Sequence, residues 1–126
     1  MNINGKWYTE TEAQAYITKL EKELAESRNV SDKIEQIMTH YTFAQQRGIF
    51  VEECAEAIKA VCKVERAIDS SHEVYVEKIN DLISEVADVL IMAQQMRLYL
   101  GKDKVDAEIQ RKLDRQIERI KAEQEG

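Results

Sequence analysis

Residues 43–61 read FAQQRGIFVEECAEAIKAV, and residues 79–96 read INDLISEVADVLIMAQQM. Apolar residues recur in both at helical spacing, with acids set into the same stretches. Shifted by 32 residues, the first lies on the second. Phe50 meets Leu82, Val51 meets Ile83, Glu53 meets Glu85, Ala55 meets Ala87, Glu56 meets Asp88 and Ile58 meets Leu90. At roughly 100° per residue, the pairs Glu53/Glu56 and Glu85/Asp88 share one flank of one kind of apolar stripe. Two such helices packed antiparallel can turn both pairs toward one pocket.

Outward from these stretches, the rest of the chain also reads as helix. It has no proline and only four glycines in 126 residues. Thr9 or Thr11 caps a first helix to about Ser27, with apolar positions Ala13, Tyr16, Ile17, Leu20 and Leu24. Arg28-Asn29-Val30 is expected to break it, and Asp32 with Glu35 to cap a short second helix to about His40. Thr42 with Gln45 opens the third, to about Ile68, where a mid-helix Gly48 costs ~1 kcal/mol and makes a break or kink there the competing reading. Ser70 with Glu73 caps the fourth, which Gly101 ends. A last helix covers about 103–123, with the stripe Val105, Ile109, Leu113, Ile117 and Ile120. Residues 1–8 read as an irregular lead-in. The expectation is one all-α domain over 1–126, an antiparallel bundle of four to five helices, with residues 1–30 an N-terminal helical extension.

Composition narrows the function. A net charge of −6 and a pI near 5.0 argue against nucleic-acid or anionic-membrane binding. No stretch approaches the ~18–20 apolar residues of a membrane span, and the N-terminus lacks a signal peptide's apolar run. Cys54 and Cys62 form neither a zinc framework nor a disulfide scaffold. These features point to the cytoplasm.

The acids carry the chemistry. Carboxylates about 4 Å apart repel by ~4 kcal/mol at an effective dielectric of about 20, so a cluster of four takes up protons or a cation. Oxygen ligands without His or Cys select Mg²⁺, Mn²⁺ or Ca²⁺ over zinc. A di-iron bundle wants Glu-x-x-His, and neither His40 nor His72 has an acid and helix in that relation. Magnesium held by carboxylates usually means phosphate chemistry.

EECAE (52–56) and EVAD (85–88) resemble the EExxE…ExxD motif of the MazG-like all-α nucleoside triphosphate pyrophosphohydrolases. The resemblance covers roughly residues 40–120. It implies Mg²⁺-dependent (or Mn²⁺-dependent) hydrolysis of an NTP or dNTP to the monophosphate and pyrophosphate, in nucleotide-pool house-cleaning. It further implies Glu53, Glu56, Glu85 and Asp88 as metal ligands and a general base left open between Glu52 and a ligand glutamate such as Glu53. Lys112 and Arg115, with Arg119 as a weaker third, stand where the family places phosphate contacts, and the family's habit is a homodimer or homotetramer. Gln45 is a candidate to hydrogen-bond a base edge, and Tyr41, Phe43, His40 or Trp7 to stack on it. Two alternatives stand beside this reading. One is a related enzyme on phosphoribosyl-ATP or a pyrimidine dNTP; the other is a non-catalytic helical interaction module.

Overall fold

A computed structural model describes residues 1–126, all but the side chain of Ile3. The fold is all-α with four helices: α1 (Glu10–His40), α2 (Phe43–Ala67), α3 (His72–Leu100) and α4 (Lys102–Glu125). A two-residue hairpin, β1 (Asn2–Ile3) and β2 (Lys6–Trp7), precedes them. The chain divides into two compact units, Met1–His40 and Tyr41–Gly126.

In the first unit, the lead-in expected to be irregular is instead this hairpin. Asn4 and Gly5 both take positive φ, 51° and 80°, as an Asn-Gly turn between paired strands requires. The Met1 ammonium donates to the Tyr8 carbonyl at 3.0 Å, and the Tyr8 ring stacks on Tyr16 at 5.9 Å. Thr9 is the cap that forms. Its Oγ1 accepts from the Glu12 N–H at 3.2 Å, while its own N–H donates to Glu12 Oε2 at 3.1 Å. The expected break at Arg28-Asn29-Val30 is absent, and α1 runs unbroken for 31 residues. No glycine or proline lies between residues 10 and 40, and the polar residues there cost only a few tenths of a kcal/mol each. Asp32 and Glu35 therefore sit in mid-helix, and no second cap forms.

The second unit is built on α2 and α3. Thr42 and Gln45 form the expected reciprocal cap, at 3.2 and 2.9 Å, and Gly48 does not interrupt the helix. Ser71, one residue beyond the expected Ser70, caps α3 by accepting from the Val74 N–H at 3.3 Å. A short turn at 68–71 folds α3 back along α2. The positions that α2 removes from solvent include Phe43, Gln46, Phe50, Glu53, Ala57, Ala60, Val64 and Ala67. Those of α3 include Tyr75, Lys78, Leu82, Glu85, Val89, Met92, Met96 and Tyr99. Both series step alternately by three and four, the repeat of a helix-pair seam.

The register is fixed at the open end. Phe43 meets Tyr99 with ring centroids 5.0 Å apart, and Gln46 Nε2 donates to Gln95 Oε1 at 2.8 Å. Residues whose numbers sum to about 142 thus lie level across the pair. Gln95 is 1% exposed, and its own amide nitrogen meets the Met92 sulfur at 3.5 Å. Gly101 then takes φ 117°, where a side chain would be strained, and donates its N–H to the Arg97 carbonyl at 3.1 Å. Across this corner Arg97 grips Asp106 with two bonds of 2.6 and 2.8 Å, fixing the first turns of α4. Farther on, α4 buries no residue, and its stripe of Ile109, Leu113, Ile117 and Ile120 is exposed.

Two stability outcomes follow from these placements. Gly48 is exposed inside α2 with open space around its Cβ position, so Gly48→Ala should raise stability by about 1 kcal/mol in denaturant titrations. Gln95→Leu strands the Gln46 amide and should cost about 1–3 kcal/mol, whereas Gln46→Leu with Gln95→Leu should recover most of that loss. Equal losses in single and double variants would contradict the pairing.

Candidate metal and phosphate site

Glu53 and Glu85 occupy seam positions of the α2–α3 pair, where Leu or Ile would normally sit. The register places Glu53 level with Asp88 and Val89, and Glu85 level with Glu56 and Ala57. Carboxylate oxygens of Glu53, Glu85 and Asp88 all lie within 4.8 Å of one another. Glu53 and Glu85 are half-buried. Partial burial comes first in holding the Glu53 carboxyl above its ordinary range; the charges of Asp88, Glu85, Glu52 and Glu56 then add to it.

Three of the four acids expected as ligands are therefore together. Glu56 stands beside them but is engaged: Lys59 Nζ lies 3.2 Å from its carboxylate. Both residues are more than half exposed, so this pair is weak and opens at little cost. Glu52 is exposed next to Glu53 on α2.

A cleft of about 170 Å³ adjoins the acids, lined by Glu56, Lys59, Ala60, Lys63, Asp81, Ser84 and Glu85. Lys59 and Lys63 are residues that the sequence reading passed over. Their spacing from Glu56, three and seven residues on, puts them on its side of α2, and that spacing was the available signal. Oxygen donors and two ammonium groups in one cleft suit a hard cation together with an oxyanion.

The remaining candidates lie elsewhere. Lys112, Arg115 and Arg119 are exposed on the part of α4 that buries nothing, and Arg111 rather than Lys112 takes Glu108, at 2.8 Å. Gln45 spends its side-chain oxygen on the Thr42 cap; it also lines a second cleft with Tyr41, Gln46 and Ile49. Phe43 packs in the seam against Tyr99, with the Arg47 guanidinium 5.1 Å above its ring. Trp7 is 75% exposed on β2, and His40 ends α1.

No family model, no curated protein and no solved structure matches this chain. No helix is long and apolar enough to cross a membrane among the described residues.

The raised Glu53 carboxyl has a signed consequence. Glu53 binds its proton more tightly folded than unfolded. It becomes unfavourable to the fold as pH rises from the ordinary glutamate value through the raised one. Glu53→Gln should therefore raise the Tm of the metal-free protein at neutral pH. That gain should shrink as pH falls to the ordinary glutamate range, in melts recorded with chelator. A gain independent of pH, or a loss at neutral pH, would contradict the electrostatic reading.

Proposed function

We propose that this chain is a Mg²⁺-dependent pyrophosphohydrolase of nucleoside or deoxynucleoside triphosphates, similar to the MazG-like enzymes, acting in the cytoplasm as a homo-oligomer. The observation that carries this reading is the convergence of Glu53, from one motif, with Glu85 and Asp88, from the other. Motifs that match by chance on two solvated helix faces need not meet; these meet in a half-buried cluster.

The donor set fits the ion. The three carboxylates offer only hard oxygen ligands, as Mg²⁺ and Mn²⁺ prefer. Glu53, Glu85 and Asp88 would hold the ion, with Glu56 joining once it leaves Lys59. Mg²⁺ in such a site supplies charge neutralisation at phosphate oxygens and acidifies water. The protein's own groups do the rest. Lys59 and Lys63 draw the polyphosphate into the cleft and offset the charge growing on the leaving pyrophosphate. Glu52, exposed beside Glu53, or one of the ligand glutamates would take the proton of the attacking water. The water oxygen bonds to the α-phosphorus, the bond to the α,β-bridging oxygen breaks, and pyrophosphate departs. The role in removing unwanted nucleotides belongs to the same proposal.

The test is pyrophosphate release from the eight common NTPs and dNTPs, a few oxidised or methylated ones, and phosphoribosyl-ATP, with Mg²⁺ or Mn²⁺. At least one should be hydrolysed. Asp88→Asn or Glu85→Gln should lower that rate on the order of 100-fold or more while helical content is kept. Release from none of them would end the enzyme reading and leave the non-catalytic helical module. Release from phosphoribosyl-ATP alone would move the activity to that substrate.

A further inference from the structure

The flank of α2 that carries Glu52 and Glu56 continues past them in both directions. Gln45, Ile49, Glu52, Glu56, Lys59 and Lys63 step alternately by four and three. At roughly 100° per residue they fall within an arc of about 80°. The acids thus stand between two clefts. Toward the end of α2 lies the lysine-lined cleft. Toward its start lies the second, of about 540 Å³, lined by Tyr41, Gln45, Gln46 and Ile49. No charged side chain lines this one. At a rise of about 1.5 Å per residue, Ile49 and Gln45 stand roughly 6 and 12 Å from Glu53 along the helix.

Two amides give the second cleft a fixed polarity. Gln45 spends its Oε1 on the Thr42 N–H at 2.9 Å, which leaves its Nε2 as a donor. Gln46 is 5% exposed, and its Nε2 is spent on Gln95 Oε1 at 2.8 Å. Its own Oε1 has no hydrogen-bond partner among the described residues, yet no fully buried side-chain polar atom among them lacks one. That oxygen therefore keeps an opening to the cleft and stands there as an acceptor. The frame behind it is rigid: the Gln95 amide nitrogen meets the Met92 sulfur at 3.5 Å, and the Tyr99 hydroxyl donates to the Tyr41 carbonyl at 3.2 Å.

We propose that Gln46, with Gln45, reads the nucleobase in this cleft: Gln45 Nε2 donates to an acceptor of the base edge, and Gln46 Oε1 accepts from the N–H beside it. The proposal rests on the functional reading of the acid cluster. It gives the substrate one direction along α2, with the base at Gln45 and Ile49, the α-phosphorus at Glu53, and the departing pyrophosphate at Lys59 and Lys63. Charge sorts the two ends. The polyphosphate needs the ammonium groups, whereas an uncharged ring with a polar edge suits a neutral cleft holding one donor and one acceptor. The 6–12 Å between the amides' turn and Glu53 is about the reach of a ribose and a base. Both amides are held by bonds that need no ligand, so little ordering is required on binding. A ligand without a donor leaves the Gln46 carbonyl unpaired and is disfavoured. Gln95 acts through Gln46 and is a positioning residue.

The test is binding, followed in the ¹⁵N-labelled full chain with Mg²⁺. The probes are the α,β-methylene analogues of the eight common nucleoside triphosphates, with inorganic tripolyphosphate as the control. At least one nucleotide should shift the side-chain amide signals of Gln45 and Gln46 and the backbone of Ile49. Tripolyphosphate should shift signals near residues 59, 63 and 84 and leave those three in place. Gln45→Glu keeps an acceptor for the Thr42 N–H but removes the donor. Gln46→Leu with Gln95→Leu removes the acceptor and leaves no stranded amide. Each should weaken that nucleotide about tenfold or more and leave the tripolyphosphate affinity as it was. Nucleotides that move residues 45, 46 and 49 no more than tripolyphosphate does would overturn the proposal, as would unchanged nucleotide affinity in either variant. Pyrophosphate release is a separate readout. Release without these shifts leaves the enzyme and ends the base site; the shifts without release leave a nucleotide-binding cleft and end the enzyme.

Discussion

A helix pair that packs on a repeat of alternating three and four residues must place some side chain at every seam position. In the α2–α3 pair the middle of the seam is given to Glu53 and Glu85. A leucine at either place would contribute roughly 1.5–3 kcal/mol of burial. Two half-buried carboxylates facing Asp88 instead bring desolvation first and mutual repulsion second, which together hold the Glu53 carboxyl above its ordinary range. The pair keeps its register through contacts elsewhere: the Phe43–Tyr99 rings and Gln46–Gln95 bond at one end, and the small residues Ala60, Val64 and Ala67 at the other. The fold thus holds an unfavourable group of charges in a fixed place, as a binding site for a cation requires.

The two sides of the pair then divide their tasks. One carries Glu56, Asp88, Lys59 and Lys63 around a small polar cleft. The other carries only apolar side chains between Arg47 and Glu65. This separation keeps the polar cleft apart from the exposed apolar flank of the pair. It also explains why so short a chain leaves so many large apolar side chains in water: its second unit alone has one packed seam, and α4 is fastened chiefly by the Arg97–Asp106 grip at the Gly101 corner.

Much of this was legible in the sequence wherever a local rule acts alone. Thr42 with Gln45 and the terminating Gly101 are local signals, and both do what their chemistry dictates. The matched registers of Glu53 with Glu85 and Glu56 with Asp88 were also readable, because helical angle is a property of residue number. Legibility fails where weak local preferences compete. Arg28-Asn29-Val30 lacks a residue that forbids helix, so α1 continues through it. Ser70 and Ser71 are chemically equal caps, and only the turn geometry chooses the second. Asn4-Gly5 was a hairpin signal set in a stretch too short to show strand alternation. Gln46, Lys59 and Lys63 were missed for another reason: their meaning depends on residues of α3, 18 to 49 positions away, that only the folded pair brings near.

The central claim is that Glu53, Glu85 and Asp88 form one cation site rather than part of a generally acidic surface. Titrating ¹⁵N-labelled protein with Mn²⁺ tests it most directly. The account predicts that substoichiometric Mn²⁺ broadens amides around residues 53, 85 and 88 first, while the acid-rich faces of α1 and the far end of α4 stay sharp. Broadening spread evenly over the acidic residues, or none at millimolar Mn²⁺, would contradict it.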